Sequence, residues 1–205
     1  MKDNKIFLRV FSWFLMLFFI IYILFTCYIY LSCFSASHQL ELNNDHEVLR
    51  IKIYGSTSTS EGNTVSGTFS IIDSNGNEIA VIERSWSGAY LSVDFAQVTI
   101  NGKYYLFPVK IFGKNRIIED RNERKKGTSL EKYYNDDGQC MLLGFGSSLK
   151  DRKNLYKISI FANRKYPVIN FGLIDTYRLD LSNCKTNTYY SITYNQDGRL
   201  GIQEL

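Results

Sequence analysis

The feature that most constrains this chain is a run of some 25 residues, Val10 to Phe34, without a single charge. Its centre, Phe14-Leu15-Met16-Leu17-Phe18-Phe19-Ile20-Ile21-Tyr22-Ile23-Leu24-Phe25, is almost wholly large and apolar. A helix rises about 1.5 Å per residue, so the run reaches about 37 Å and crosses a hydrocarbon core of about 30 Å with some tilt. A retained transmembrane helix over residues 10–34, with the lipid bilayer as its partner, is the expectation. Two other fates begin the same way. A cleaved secretory signal would use the small residues Ser35-Ala36-Ser37, and a lipoprotein signal would acylate Cys33 behind Ser32. The apolar region of a signal peptide is about 7–15 residues, shorter than this run, and the bulky Tyr30 suits a lipoprotein signal poorly.

The flanks give the orientation. Lys2, Lys5 and Arg9 precede the run, whereas Glu41, Asp45 and Glu47 follow it with no basic residue before Arg50. The positive-inside rule then puts residues 1–9 in the cytoplasm and everything beyond the span outside it. Trp13, Tyr28 and Tyr30 stand where interfacial aromatic anchors are expected. The resulting plan is a cytoplasmic N-terminus over 1–9, a span over 10–34, a polar spacer over 35–46, and an extracytoplasmic domain over 47–205.

That domain carries the period-two signature of strands. Leu49, Ile51 and Ile53 alternate with Arg50, Lys52 and Tyr54, the pattern of a strand with one buried and one wet face. A Ser/Thr/Gly-rich loop is expected from Gly55 to Thr64. A strand over Val65 to Ile72 then turns through Asp73-Ser74-Asn75-Gly76-Asn77 into Glu78 to Arg84. Leu91 to Ile100 and Lys103 to Phe112 flank Asn101-Gly102, whose residues accept the positive φ angles of a tight hairpin. Pro108 cannot donate to a ladder, so its strand belongs at an edge or a bulge, and Pro167 carries the same implication for its own segment.

The alternation stops between Lys114 and Gln139. Lys114 to Lys126 holds six basic and three acidic residues and reads as a solvated loop, with a short helix starting near Ser129 and running to Tyr134. Strands are expected again at Cys140 to Phe145, Tyr156 to Ala162, Tyr177 to Leu181, Tyr189 to Tyr194 and Arg199 to Glu204. Nine or ten strands without intervening helices predict one all-β domain, mainly antiparallel, of the sandwich or small-barrel kind.

Chemistry is sparse. The two histidines, His38 and His46, both fall in the spacer, which speaks against a histidine mechanism or a zinc site in the domain. Ser129 and Lys132 have the Ser-x-x-Lys spacing of some acyl-transferring enzymes, but the partner motifs are missing, and Ser129 reads better as a helix N-cap. Asp73, Asn75, Asn77 and Glu78 alternate like calcium ligands with the glycine misplaced, so a polar turn is the simpler account. Gly144-Phe145-Gly146-Ser147-Ser148 lacks phosphate-loop spacing and reads as the end of a strand. Lys114 to Lys126, with Lys150, Arg152 and Lys153, could touch an anionic surface, but its interspersed acids indicate ordinary solvation.

Cys140 and Cys184 are the one pair able to bridge within the domain. A bridge closing about 45 residues would be worth about 4 kcal/mol in the chain-entropy model; the alternative is two buried thiols acting as small hydrophobes. Of the formal net charge of +4, the first nine residues carry +2, so the domain has no charge excess suited to nucleic acid. No catalytic, cofactor or metal residues are assigned. The expectation is a membrane-anchored binding or structural module with a protein partner, with an extracytoplasmic hydrolase or a barrel holding a small apolar ligand as alternatives.

Overall fold

The apolar run lies within one long helix, α1 (Lys2–Gln39). The computed structural model describes residues 2–41, 46–60, 62–115, 121–169, 171–195 and 198–205, the side chains of 2–10, 121 and 122 excepted. Beyond α1 the chain is a mostly antiparallel β domain. Its strands are β1 (His46–Thr59), β2 (Gly62–Ile72), β3 (Glu78–Ser87), β4 (Tyr90–Ile100), β5 (Lys103–Lys114), β6 (Thr128–Ser129), β7 (Asn135–Asp136), β8 (Gln139–Cys140), β9 (Ile174–Asp180), β10 (Tyr189–Tyr194) and β11 (Leu200–Glu204). Two further helices, α2 (Arg121–Lys125) and α3 (Leu149–Ala162), complete it.

The strands form a five-stranded sheet of order β11-β10-β1-β2-β3, a four-stranded sheet of order β6-β5-β4-β9, and the small β7-β8 pair. Alternation decides what faces inward. Leu49, Ile51, Phe69, Ile71, Ile82 and Ile192 line the inner face of the first sheet, and all are buried. Leu91, Val93 and Phe95 of β4 face them: the Leu91 side chain comes so close to Gly67 of β2 that a Cβ there would lie 3.6 Å from its Cδ1. The other face of β4 and β5, with Val98, Tyr105 and Phe107, packs under α3, α1 and the segment around Tyr134, whose ring stacks on Phe107. The four-stranded sheet is thus covered on both faces.

Of the polar spacer expected over 35–46, residues 35–39 belong to α1, and residues 42–45 lie outside the described residues. α1 continues through Ser35-Ala36-Ser37-His38-Gln39, and Thr26, Ile29, Cys33, Ala36, Ser37 and Leu40 are buried along one stripe. Spacings of three, four and seven put these residues on one helical face. The helix end is held by the β4–β5 hairpin tip, the expected Asn-Gly turn, with φ of 55° at Asn101 and 70° at Gly102. From this tip Asn101 donates to the Phe34 carbonyl at 3.2 Å, and Lys103 Nζ donates to the Ser37 and Leu40 carbonyls at 3.1 and 2.5 Å. An ammonium there satisfies carbonyls that the last turn leaves open and complements the helix dipole.

α3 corrects the strand expected at Tyr156 to Ala162. Ser148 caps it, accepting from the Asp151 N–H at 3.1 Å and donating to the Asp151 carboxylate at 2.7 Å, an N-cap that satisfies one open donor of the first turn. Leu155, Ile158, Phe161 and Ala162 form its buried face. α3 runs antiparallel to the end of α1: Asn154 bonds Gln39, the Cys33 thiol donates to the Lys157 carbonyl, and Phe161 packs on Tyr30.

The all-β expectation therefore gives way to a β domain with a helix in its third layer. Other corrections follow from local pairing. The loop expected over Gly55 to Thr64 is ladder up to Thr59 and from Gly62, paired in register. The helix expected from Ser129 is a short strand followed by a 3-10 turn, Glu131–Tyr133, with Leu130 and not Ser129 before it. The strand expected over Cys140 to Phe145 is only β8 followed by a 3-10 turn, Met141–Leu143. In the basic segment, residues 116–120 lie outside the described residues, and α2 follows them. The bulge expected at Pro108 is present, with Asp94 paired to Lys110 and Phe95 to Pro108, whereas Pro167 lies in an irregular connection.

Candidate functional site

The residues read as candidate chemistry do not converge. Ser129 and Lys132 border one shallow depression with Glu131, Asn135, Asp136 and Lys165. The Lys132 ammonium lies 4.9 Å from the Tyr133 ring centroid, and no bond between Lys132 and the Ser129 hydroxyl occurs among the described residues. A hydroxyl without a hydrogen-bonded base has no route to activation as a nucleophile.

The acidic turn after β2 is occupied by its own chain. Asp73 is buried; its Oδ1 accepts from the Asn75 and Asn77 N–H groups at 2.8 Å each, and its Oδ2 from the Asn77 amide at 3.2 Å. Ser74 then ties the turn to the 142–143 segment through its N–H and hydroxyl. Gly144 fits only without a side chain, because a Cβ there would stand 2.5 Å from the Asp73 and Asn75 side chains, and its φ is 83°. The turn is a clasp between β2 and the entry to α3. Among the described residues no group of three His, Cys, Asp or Glu side chains could hold a metal ion.

Cys140 and Cys184 are unbridged, Cys140 fully buried and Cys184 half-buried. Burial pushes the Cys140 thiol up to about 12, offset only partly by a hydrogen bond from the Leu142 backbone. Burial also raises Cys184, with the Asp180 charge adding to it. Neither thiol is poised as a nucleophile at neutral pH, since reactivity follows the thiolate. His38 packs edge-on against Phe34 within α1, and His46 stands at the start of β1.

A small, partly open cavity lies where the first sheet, β5 and the 142–143 segment meet, lined by Val48, Ile72, Tyr105, Phe107, Leu142 and Tyr194 among others. Its volume is about 40 Å³, well below the ~300–1,000 Å³ of pockets that enclose small molecules. Burial raises the pKa of the Tyr194 phenol beside it, and that hydroxyl has no hydrogen-bond partner among the described residues.

Two ionic arrangements escaped the sequence reading. Asp94, which alternates with the inward-facing Val93 and Phe95 of β4, is wholly buried between two guanidinium groups, with Arg178 Nε 2.7 Å from Oδ1 and Arg124 Nε 2.6 Å from Oδ2. At the same sheet's end, buried Lys114 meets Asp180 at 2.6 Å. Desolvation works to raise the Asp180 pKa, but hydrogen bonds from Lys114 and Ser182 outweigh it, and the carboxyl titrates below its ordinary value. The first arrangement ties α2 and β9 to β4, and the second ties β9 to the end of β5.

The outer face of the five-stranded sheet carries exposed aromatic, basic and apolar side chains. Lys52 of β1 lies between two rings, 4.8 Å from the Tyr189 centroid and 5.7 Å from that of Tyr54. Tyr54 bonds Thr68 across the strands, and Ser66 bonds Ser85. Val81 is 53% exposed on this face, and a shallow depression runs between Arg50, Glu78, Val81, Tyr189 and Leu205. The signal was present in Arg50-Lys52-Tyr54, the wet half of an alternating strand, but its partner Tyr189 is far along the chain.

No protein-family model matches this chain, and neither does any curated protein or solved structure.

Proposed function

We propose that the chain is a single-pass, membrane-anchored module that presents the outer face of its five-stranded sheet to a protein partner outside the cytoplasm. The observation that carries the reading is the division of α1. From Phe11 to Phe25 large apolar side chains stand exposed around the helix, Trp13 at 73% and Phe18 at 72%, while from Thr26 the same helix is built into the domain. A helix apolar on every side needs a bilayer or an equivalent apolar surround. The basic residues before the span support an extracytoplasmic domain.

A helix that enters the domain without a flexible linker holds it at a fixed height and tilt, which suits a structural or docking role. Tyr54, Tyr189, Arg50 and Val81 are of the kinds that anchor protein interfaces, aromatic and arginine groups beside an apolar centre. The test is crosslinking in native membranes with the chain tagged at its N-terminus, followed by identification of what co-purifies in comparable amount. A stoichiometric partner retained by wild type and lost from a Val81→Asp/Tyr189→Ala variant supports the reading. A partner retained equally by both moves the interface elsewhere, and none at all removes the partner claim.

A further inference from the structure

The segment that follows α3 descends beside α1 into the part of the helix assigned to the bilayer. We infer that Tyr166, Ile169 and Phe171 form a second contact with the membrane, inserting at the outer acyl–headgroup boundary. The inference rests on the anchor reading and adds a site to it.

The depth follows from α1 itself. If the hydrocarbon core begins just after Arg9, about 30 Å of helix ends near Ile29 or Tyr30. The Tyr30 hydroxyl donates to the Ile169 carbonyl at 2.5 Å, and the Tyr30 ring lies 5.7 Å from that of Phe171. Tyr166 reaches lower, its ring 6.1 Å from that of Phe25. Phe25 lies about 7 Å below Tyr30 along the helix. A chain segment fixed to these two residues shares their depth.

The side chains suit that depth and suit water poorly. Phe171 is 71% exposed and Ile169 53% exposed, with Pro167 and half-buried Val168 beside them. Irregular backbone is costly in hydrocarbon because its polar groups go unpaired. Here Pro167 has no N–H to satisfy, and the Ile169 carbonyl accepts from Tyr30. The exposed Lys157, whose carbonyl accepts from the Cys33 thiol, lies about one helical turn above Tyr30, where cationic side chains meet lipid phosphates. An apolar wedge with a cationic side chain above it is the pattern of interfacial segments that bury about 5–10 Å into the boundary.

The test uses the full chain reconstituted in vesicles of equal parts phosphatidylcholine and phosphatidylglycerol. Cysteines Cys27 and Cys184 are replaced by serine, and an environment-sensitive fluorophore is attached to one introduced cysteine at a time: Phe171→Cys, Phe18→Cys in the span, or Val81→Cys on the distant sheet face. All three positions are exposed, so the fold tolerates them. The expected result is that the Phe171 label is quenched by nitroxides placed shallowly on lipid chains and is several-fold less accessible to aqueous iodide than the Val81 label. If the Phe18 label is lipid-quenched while the Phe171 label behaves like that at Val81, the second contact is overturned and the anchor stands. If neither the Phe18 nor the Phe171 label meets lipid, both readings fall.

Discussion

The two parts of α1 share a composition and differ in what surrounds them. From Phe11 to Phe25 bulky apolar residues point in every direction and, half-buried Tyr22 apart, are exposed; from Thr26 to Leu40 a narrower stripe is buried and includes the smaller residues Cys33, Ala36 and Ser37. Within the second part Cys27 is exposed and Cys33 buried, which shows its one-sidedness. A helix that must satisfy lipid needs apolar bulk all round, whereas one that must satisfy a folded domain needs shape on one side and polar partners at its end. The Ser37 hydroxyl, accepting from Tyr105 at 2.8 Å and donating to the Ile100 carbonyl at 3.3 Å, belongs to the second kind.

The largest effect expected from this contrast is on the docked part. Leu40→Ala should lower the unfolding free energy by about 2–5 kcal/mol, the usual cost of a cavity at a buried leucine, in a urea titration of the full chain in mild detergent. Phe18→Ala should leave that titration unchanged. The roles reverse for charge: Phe18→Arg should weaken membrane insertion by about 3 kcal/mol in a glycosylation-based insertion assay, with little effect on the domain. An equal response of domain stability to Leu40→Ala and Phe18→Ala would erase the distinction.

What was legible in the sequence follows the same line. α1 and the strands from β1 to β5 were readable because bulk hydrophobicity and period two are properties of a segment alone. α3 was missed because Tyr156-Lys157-Ile158-Ser159-Ile160 alternates over five residues and imitates a strand. The decisive signals lay outside that window, in the Ser148 N-cap and the spacing of Leu155, Ile158 and Phe161. The helical course of Ser35 to Gln39 was hidden by its polarity, since small polar residues become core only when Tyr105 and the Asn101-Gly102 tip arrive from elsewhere. Asp94 shows the same limit: it alternates with the inward-facing Val93 and Phe95, and Arg124 and Arg178, which cover it, come from elsewhere in the chain. Of the surface proposed for binding, Lys52 and Tyr54 were visible as a pattern, and Tyr189 joins them through the β1–β10 pairing.

Smaller effects sharpen the comparison. Tyr105→Phe removes the hydroxyl that holds Ser37 and should cost about 0.5–1.5 kcal/mol, the net worth of one hydrogen bond, in the same urea titration. The smallest effect is the pH-dependent part of the Lys114–Asp180 pair. Asp180 has a folded pKa below its unfolded value of about 3.9, so its contribution is present above that pH and lost as the pH falls through the folded value. Asp180→Asn should therefore flatten a shallow stability loss below about pH 4 and leave the helix contacts untouched, read by acid titration of thermal unfolding.

The central claim, that α1 is anchor in its first part and domain in its last, is tested most directly by two truncations. One chain begins at Thr26 and the other at His46; each is expressed and assayed for carbonate extraction from membranes and for cooperative unfolding. The account expects the Thr26 chain to be extracted and to unfold cooperatively near the temperature of the full chain, and the His46 chain to lose most of that stability or fail to fold. A His46 chain as stable as the Thr26 chain would contradict it, as would a Thr26 chain that resists extraction like the intact protein.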